Sequence, residues 1–177
     1  MINDDGPATI EELAARCRAT GATGRELADS ACAAVASAFP TYSLLRLWET
    51  PRQALRRHRG WSHQYNTILL LLLRQLGFRA RLVHAARVRG FRHPWWLNGH
   101  TWVKVEISGH ELNACASSPG NRVGAVGFTP LTRELPMRRV TRWALGLAMA
   151  PFVVGEMARA WFLKRPVPPW IHGRRNG

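Results

Sequence analysis

The strongest constraint on this chain is the run Ile68–Leu73, six apolar residues in a row within the stretch His63 to Leu76. A surface helix shows one apolar stripe, whereas a helix apolar on most of its circumference must be buried. Gly77 is the expected C-cap. A buried helix needs neighbours, and the rest of the sequence supplies them. Arg79 to Arg87 alternates as a strand. His100–Ile107 alternates strictly, with Thr101, Val103, Val105 and Ile107 on one face. Ser108-Gly109 reads as a two-residue hairpin turn, with His110 to Ser117 returning as the partner strand. Upstream, Thr9-Ile-Glu-Glu12 is a capping box opening a helix to about Ala19, and a second Ala-rich helix spans about Arg25 to Ala38. Leu44 to Arg57 is expected as a short helix or turn. Residues 118–130 read as a Gly/Pro-rich loop with a further short strand at Val123 to Phe128. Arg138 to Leu163 is helical, broken or kinked at Pro151, and the Pro- and Arg-rich tail from Lys164 is expected to be irregular. Residues 1–140 are expected to form the main domain and residues 141–177 an apolar helical segment with a basic tail. The pattern is α+β, and 177 residues at 46% hydrophobic and 20% charged suffice for one core.

Charge and cysteine content narrow the function classes. Twenty-five Lys and Arg against eleven Asp and Glu give a net charge of +14, which calls for an anionic partner such as nucleic acid, a membrane face or an acidic substrate. Arg52 to Lys104 holds eleven basic residues and no acid, so positive potential is expected around whatever that stretch builds. Nucleic-acid binding has no motif behind it. Cys17, Cys32 and Cys115 are odd in number without CxxC spacing, which argues against a disulfide framework and for a reducing, cytoplasmic setting. No basic and apolar leader opens the chain. The histidines, among them His63, His93 and His110, show no metal-ligand spacing. Trp143 to Leu163 is apolar and flanked by Lys164-Arg165, a pattern that fits a buried helix or peripheral contact with an anionic membrane or a partner protein.

Ser62 stands at the predicted start of the buried helix, where free N–H groups and the helix dipole favour a side chain that becomes anionic. His100 opens a core strand, and Asn113 follows across the hairpin. A nucleophile at a helix start, a histidine on a strand and an orienting amide on the next strand follow the logic of a catalytic triad.

Arg59-Gly-Trp-Ser-His-Gln-Tyr-Asn66, Leu76-Gly-Phe78 and Ala86-Arg-Val88, followed by His100-Thr-Trp-Val-Lys-Val105 and Leu112-Asn113, resemble the transglutaminase-like superfamily and its arylamine N-acetyltransferase branch. That branch carries Arg-Gly-Gly-x-Cys-x-Glu-x-Asn, then a helix, Leu-Gly-Phe and an Ala-Arg-Val-like strand. The resemblance covers residues 55 to 117. It implies a papain-like fold, with the nucleophile helix packed on a small antiparallel sheet. It also implies Ser62 as nucleophile, His100 as proton relay and Asn113 as orienting group. Trp61, Gln64, Asn66, Trp95, Trp96, Trp102 and Cys115 are the expected substrate-binding residues. No metal or organic cofactor is implied. The expected substrate is a small acyl or amide compound, a peptide or an acidic carrier protein, in amide-bond formation or cleavage such as natural-product or peptide tailoring.

The departures from the family pattern are chemical. The family's Cys is Ser62 here, its Glu is Gln64 and its Asp is Asn113. A thiol with a pKa of about 8.5 is easily lowered to a thiolate, whereas a hydroxyl depends wholly on its base. Asn fixes a histidine tautomer but stabilises imidazolium less than a carboxylate does. Three readings stay open: a Ser-dependent acyltransferase or amidase, a catalytically silent module that binds a peptide, carrier protein or membrane-associated partner, and a Ser introduced to trap a complex. The third member is open as well. A regular hairpin places Ser117 opposite His100 with Cys115 diagonal to it, and only a bulge would favour Asn113.

Overall fold

The computed structural model describes residues 7–90 and 99–175. Among the described residues five helices and nine strands occur, with four of the helices in the first half and six consecutive strands between the fourth and fifth helices. Helix α1 (Ile10–Ala19) opens on the expected capping box: Thr9 Oγ1 accepts from Glu12 N at 3.1 Å, and Glu12 Oε2 accepts from Thr9 N at 3.3 Å. Helix α2 (Gly24–Ala38) presents Ala28, Ala31, Cys32 and Val35 to the core. Only a short helix, α3 (Pro51–Arg56), forms within 44–57; Thr50 and Gln53 cap it reciprocally, with Pro51 at its first position.

The apolar run forms α4 (Ser62–Gln75), which packs against α1, α2, α3 and the sheet strands β3 (Ala80–Ala85) and β5 (His100–Ile107). Ile68, Leu69, Leu72 and Leu73 have no exposed surface. Gly77 at φ +94° ends the helix as a left-handed cap. The main sheet is four-stranded, in the order β6-β5-β3-β8, with β6 at His110–Ala114 and β8 at Leu135–Pro136. Its β5–β6 hairpin is regular: Val103 pairs with Ala114, and Ser108 and Gly109 both have positive φ, as a two-residue turn of this hand requires.

Three expectations change. Residues 123–128 form no strand; a strand pair forms instead between β4 (Val88–Arg89) and β7 (Thr129–Pro130). Helix α5 (Arg139–Phe162) is continuous through Pro151, so the break, one of the two outcomes expected there, does not occur. The tail is not wholly irregular: β9 (His172–Arg174) pairs antiparallel with β1 (Thr41–Ser43), which also pairs with β2 (Arg59–Gly60). The C-terminal residues are therefore joined to the main body. Leu145, Met149 and Val153 of α5 pack on Leu44, Trp61 and Ile171. Arg175 continues the anchoring: its guanidinium donates to the Phe39 carbonyl at 3.0 Å and to the Ala116 carbonyl, and it lies 4.4 Å from the Tyr65 ring centroid.

Candidate active site

Ser62 is the first residue of α4 and is 8% exposed. The helix start is held from three directions. Gln64 Oε1 accepts from Trp61 N at 3.2 Å, and Gln64 Nε2 donates to the Arg46 and Glu49 carbonyls at 3.3 and 2.8 Å. Asn66, with no exposed surface, donates Nδ2 to the Thr101 carbonyl at 2.6 Å and accepts from Ala116 N at 3.0 Å. One amide thus satisfies a carbonyl and an N–H at the end of the hairpin, groups that would otherwise be costly to bury. Gly60 explains the Arg-Gly pair: a Cβ there would lie 2.9 Å from Gln64 Oε1 and 3.2 Å from the Phe39 ring. Gln64 and Asn66, expected to bind substrate, have their side-chain amides committed to the scaffold.

The strand alternation sorts the histidines. Val103 and Val105 pack on the α4 side, and Thr101 shares their parity. His84 pairs with Thr101 across β3–β5, and its Nδ1 lies 3.1 Å from Thr101 Oγ1. His100 shares the parity of Trp102, which belongs to the cluster on the opposite side with Val83, Ala85, Cys115 and Phe128. His100 stacks on Trp102 (6.2 Å, 10°) and meets Phe128 edge-on at 4.7 Å.

The third-member expectation is corrected here. Asn113 Oδ1 accepts from Trp102 Nε1 at 2.9 Å, and its register places it opposite Lys104, too far along β5 to orient His100. Without a bulge, the residue that reaches His100 is Cys115, with Sγ 3.2 Å from His100 Nε2. Cys115 Sγ is also 3.2 Å from Ser117 Oγ and 3.5 Å from Asn66 Nδ2, and Asn121 Nδ2 donates to Ser117 Oγ and the Cys115 carbonyl, each at 3.0 Å. Burial pushes the Cys115 thiol up, against a smaller downward pull from the Ser117 and Asn66 hydrogen bonds. Trp102 and Cys115 have no exposed surface, so neither offers a substrate contact. Trp95 and Trp96 lie outside the described residues.

Ser62 opens on a cavity of ≈ 220 Å³ lined also by Trp61, His84 and Thr101, with Leu145, Met149 and Phe152 of α5 as its apolar wall. His100 is not among its described lining residues. His84 is the residue that sequence reasoning missed. The signal was present in the alternation of Arg79 to Arg87, which puts His84 on the α4 side of its strand. Burial holds the His84 imidazole below its ordinary value, partly opposed by a hydrogen bond to the His100 main chain, so the neutral ring is favoured. Trp61 Nε1 is buried and has no hydrogen-bond partner among the described residues, a deficit of about 1–3 kcal/mol, while the indole ring meets the His63 ring at 5.6 Å.

The expected positive surround is not the cavity's own lining, which contains no Lys or Arg among the described residues. Arg81 instead grips Glu111 through two bonds of 2.6 and 2.7 Å, and Lys104 meets Glu134 at 3.1 Å; Arg81 and Lys104 pair across β3–β5 with the parity of Trp102, on the face of the sheet away from α4.

No protein-family model matches this chain, and no curated protein does either. Among solved structures, the crystal structure of a TGase is similar with a TM-score of 0.48 and 15% identity, over 59% of this chain and 29% of that one. The chain spans less than a third of that structure. The protein has a mixed α+β fold with small sheets, and no helix among the described residues is long and apolar enough to cross a membrane.

Proposed function

We propose that the cavity at the start of α4 carries out acyl chemistry of transglutaminase-like type, forming or cleaving an amide bond with Ser62 as nucleophile. The observation that carries the reading is the placement of Ser62 and His84 in one cavity at a helix N-terminus, a cavity that Trp61 also lines. The papain-like arrangement is part of the proposal, supported by a nucleophile helix fastened to an antiparallel sheet through Asn66.

In this reading Ser62 Oγ attacks the carbonyl carbon of a thioester, ester or amide. A histidine takes the hydroxyl proton and returns it to the departing thiol, alcohol or amine, leaving an acyl-Ser62 that an amine or water then releases. Of the two candidate bases, His84 is favoured by its place in the cavity and by burial that keeps it neutral. A main-chain N–H group at the very start of α4, ahead of the Gln64 and Tyr65 N–H groups that donate to the Trp61 carbonyl, stabilises the oxyanion. The apolar α5 wall suits an acyl chain or an aromatic group. Residence in a reducing cytoplasm belongs to the same proposal and rests on Cys17, Cys32 and Cys115 all being free thiols.

A second reading, a silent module that binds a peptide or carrier, is favoured by one observation: His100, the histidine of the family-like strand, is hydrogen-bonded to a buried thiol and enclosed by Trp102 and Phe128. Intact-protein mass spectrometry after incubation with simple acyl thioesters separates the two. An adduct on the native chain and on Ser62→Cys, lost in Ser62→Ala and slowed in His84→Gln, supports the enzyme. No adduct on either the native chain or Ser62→Cys supports the binding module.

A further inference from the structure

Helix α5 inverts the usual placement of apolar residues. Leu145, Met149, Val153 and Ala160 face the body of the protein. At helical spacing the opposite side carries Val140, Trp143, Leu147, Val154, Trp161 and Phe162, which are 79%, 53%, 63%, 64%, 76% and 75% exposed. Pro151 and Ala158 complete that arc and are exposed too. A soluble surface helix shows charge on this side; here, from Trp143 to Gly155, the sequence has no charged residue at all. The cations gather at the two ends. Arg138 is exposed beside the first turn, where the sequence adds Arg139 and Arg142, and Arg159, Lys164 and Arg165 are exposed at the other end. Glu156, the helix's single acid, is paired with Arg159 at 3.4 Å.

We infer that this outer face docks on an anionic lipid surface, with α5 lying along it. Apolar and aromatic side chains on one face, with cations at the flanks, are what a helix lying in the headgroup region requires. Trp143 near one end and Trp161 near the other are side chains suited to the boundary between headgroups and acyl chains. Charge decides the occupant. A second copy of a chain with net charge +14 would bring like-charged helix ends together, whereas an anionic surface is attracted by the same residues. Since no helix among the described residues is suited to crossing the bilayer, the helix lies on the surface. Phe152 is half exposed and also lines the Ser62 cavity, so docking sets that cavity one helix diameter, about 10 Å, from the lipid.

The test is co-sedimentation of the full chain with vesicles of phosphatidylcholine containing phosphatidylglycerol, against vesicles of phosphatidylcholine alone, with light scattering in the absence of lipid. Binding to the anionic vesicles is expected, weakened but not abolished by salt. A Leu147→Glu/Trp161→Glu double variant should lose affinity roughly tenfold or more; an unchanged far-UV spectrum and thermal midpoint would show that its fold is intact. Absence of binding to the anionic vesicles, or equal binding by a folded double variant, would overturn the inference. So would a lipid-free dimer that the double variant dissolves, which would assign the face to a second copy. The readout needs no turnover at Ser62, so its failure is distinct from failure of the acyl-chemistry proposal.

Discussion

Cys115 Sγ lies 3.2 Å from His100 Nε2 and 3.5 Å from Asn66 Nδ2, so one buried thiol joins the start of β5 to the second turn of α4. It is a structural contact in a closed space, not an exposed thiol awaiting substrate. Burial pushes this thiol up, does the same to Cys17, and takes Cys32 to about 12. The thiolate is the reactive form. Native protein at neutral pH is therefore expected to resist iodoacetamide at all three cysteines, and denatured protein to label at all three, as counted by mass spectrometry. Rapid native labelling of Cys115 would contradict its placement.

Asn66 should be among the costliest polar residues to lose. Asn66→Ala strips a partner from the Thr101 carbonyl and from Ala116 N, both at buried residues. Each orphaned group costs about 1–3 kcal/mol, so chemical denaturation should show a loss of roughly 2–6 kcal/mol. Asn66→Asp should do no better, because a carboxylate cannot donate to Thr101. A loss below about 1 kcal/mol would mean that the helix and hairpin are held together by apolar packing alone.

His84 sets a pH dependence whose sign follows from its burial. Its folded-state value is lowered, so the unfolded chain binds the proton more readily. Stability should be full above the ordinary imidazole range of about 6.5 and should fall as pH drops through it. Below the depressed folded value the loss levels off. His84→Gln should flatten this acid limb in urea titrations taken across the range. If His84 is also the base for Ser62, acylation follows the lowered folded-state imidazole, so it should fall at lower pH, where the stability loss levels off, and the variant should be slow at every pH.

The elements that could be read from the sequence were those fixed by local periodicity. The α1 capping box, the α4 boundaries and the two-residue turn of the β5–β6 hairpin follow from side-chain spacing and turn chemistry, which act within a few residues. Placement of Ser62 at the helix start was legible for the same reason. The partner of His100 depended on whether the hairpin was regular. The sequence pattern pointed to Asn113, while the unbulged register gave the place to Cys115. His84 was missed because its proximity to the Ser62 cavity is a long-range consequence of β3 pairing with β5. The β9 strand escaped notice because three residues, His172–Arg174, carry no pattern of their own and are ordered by β1. The basic stretch was legible as charge but not as location, since Arg81 and Lys104 spend it on Glu111 and Glu134 away from the cavity.

Gly60 offers the most direct probe of how the helix start is positioned. Its backbone needs no left-handed conformation; what it needs is space. A Cβ would stand 2.9 Å from Gln64 Oε1 and 3.2 Å from Phe39 Cε1. Phe39 is fully buried and cannot yield. Gln64 must then move, which breaks its bond to Trp61 N and strains its bonds to Arg46 and Glu49. Gly60→Ala should therefore destabilise the fold by about 1–3 kcal/mol, as overpacking does, and should also displace Ser62, two residues on. Gln64→Ala in the Gly60→Ala background tests the coupling. With the obstructing amide removed, the second substitution should cost clearly less than it does alone, giving a non-additivity of about 0.5–3 kcal/mol in a double-mutant cycle. Strict additivity would show that Gln64 is not what Gly60 makes room for.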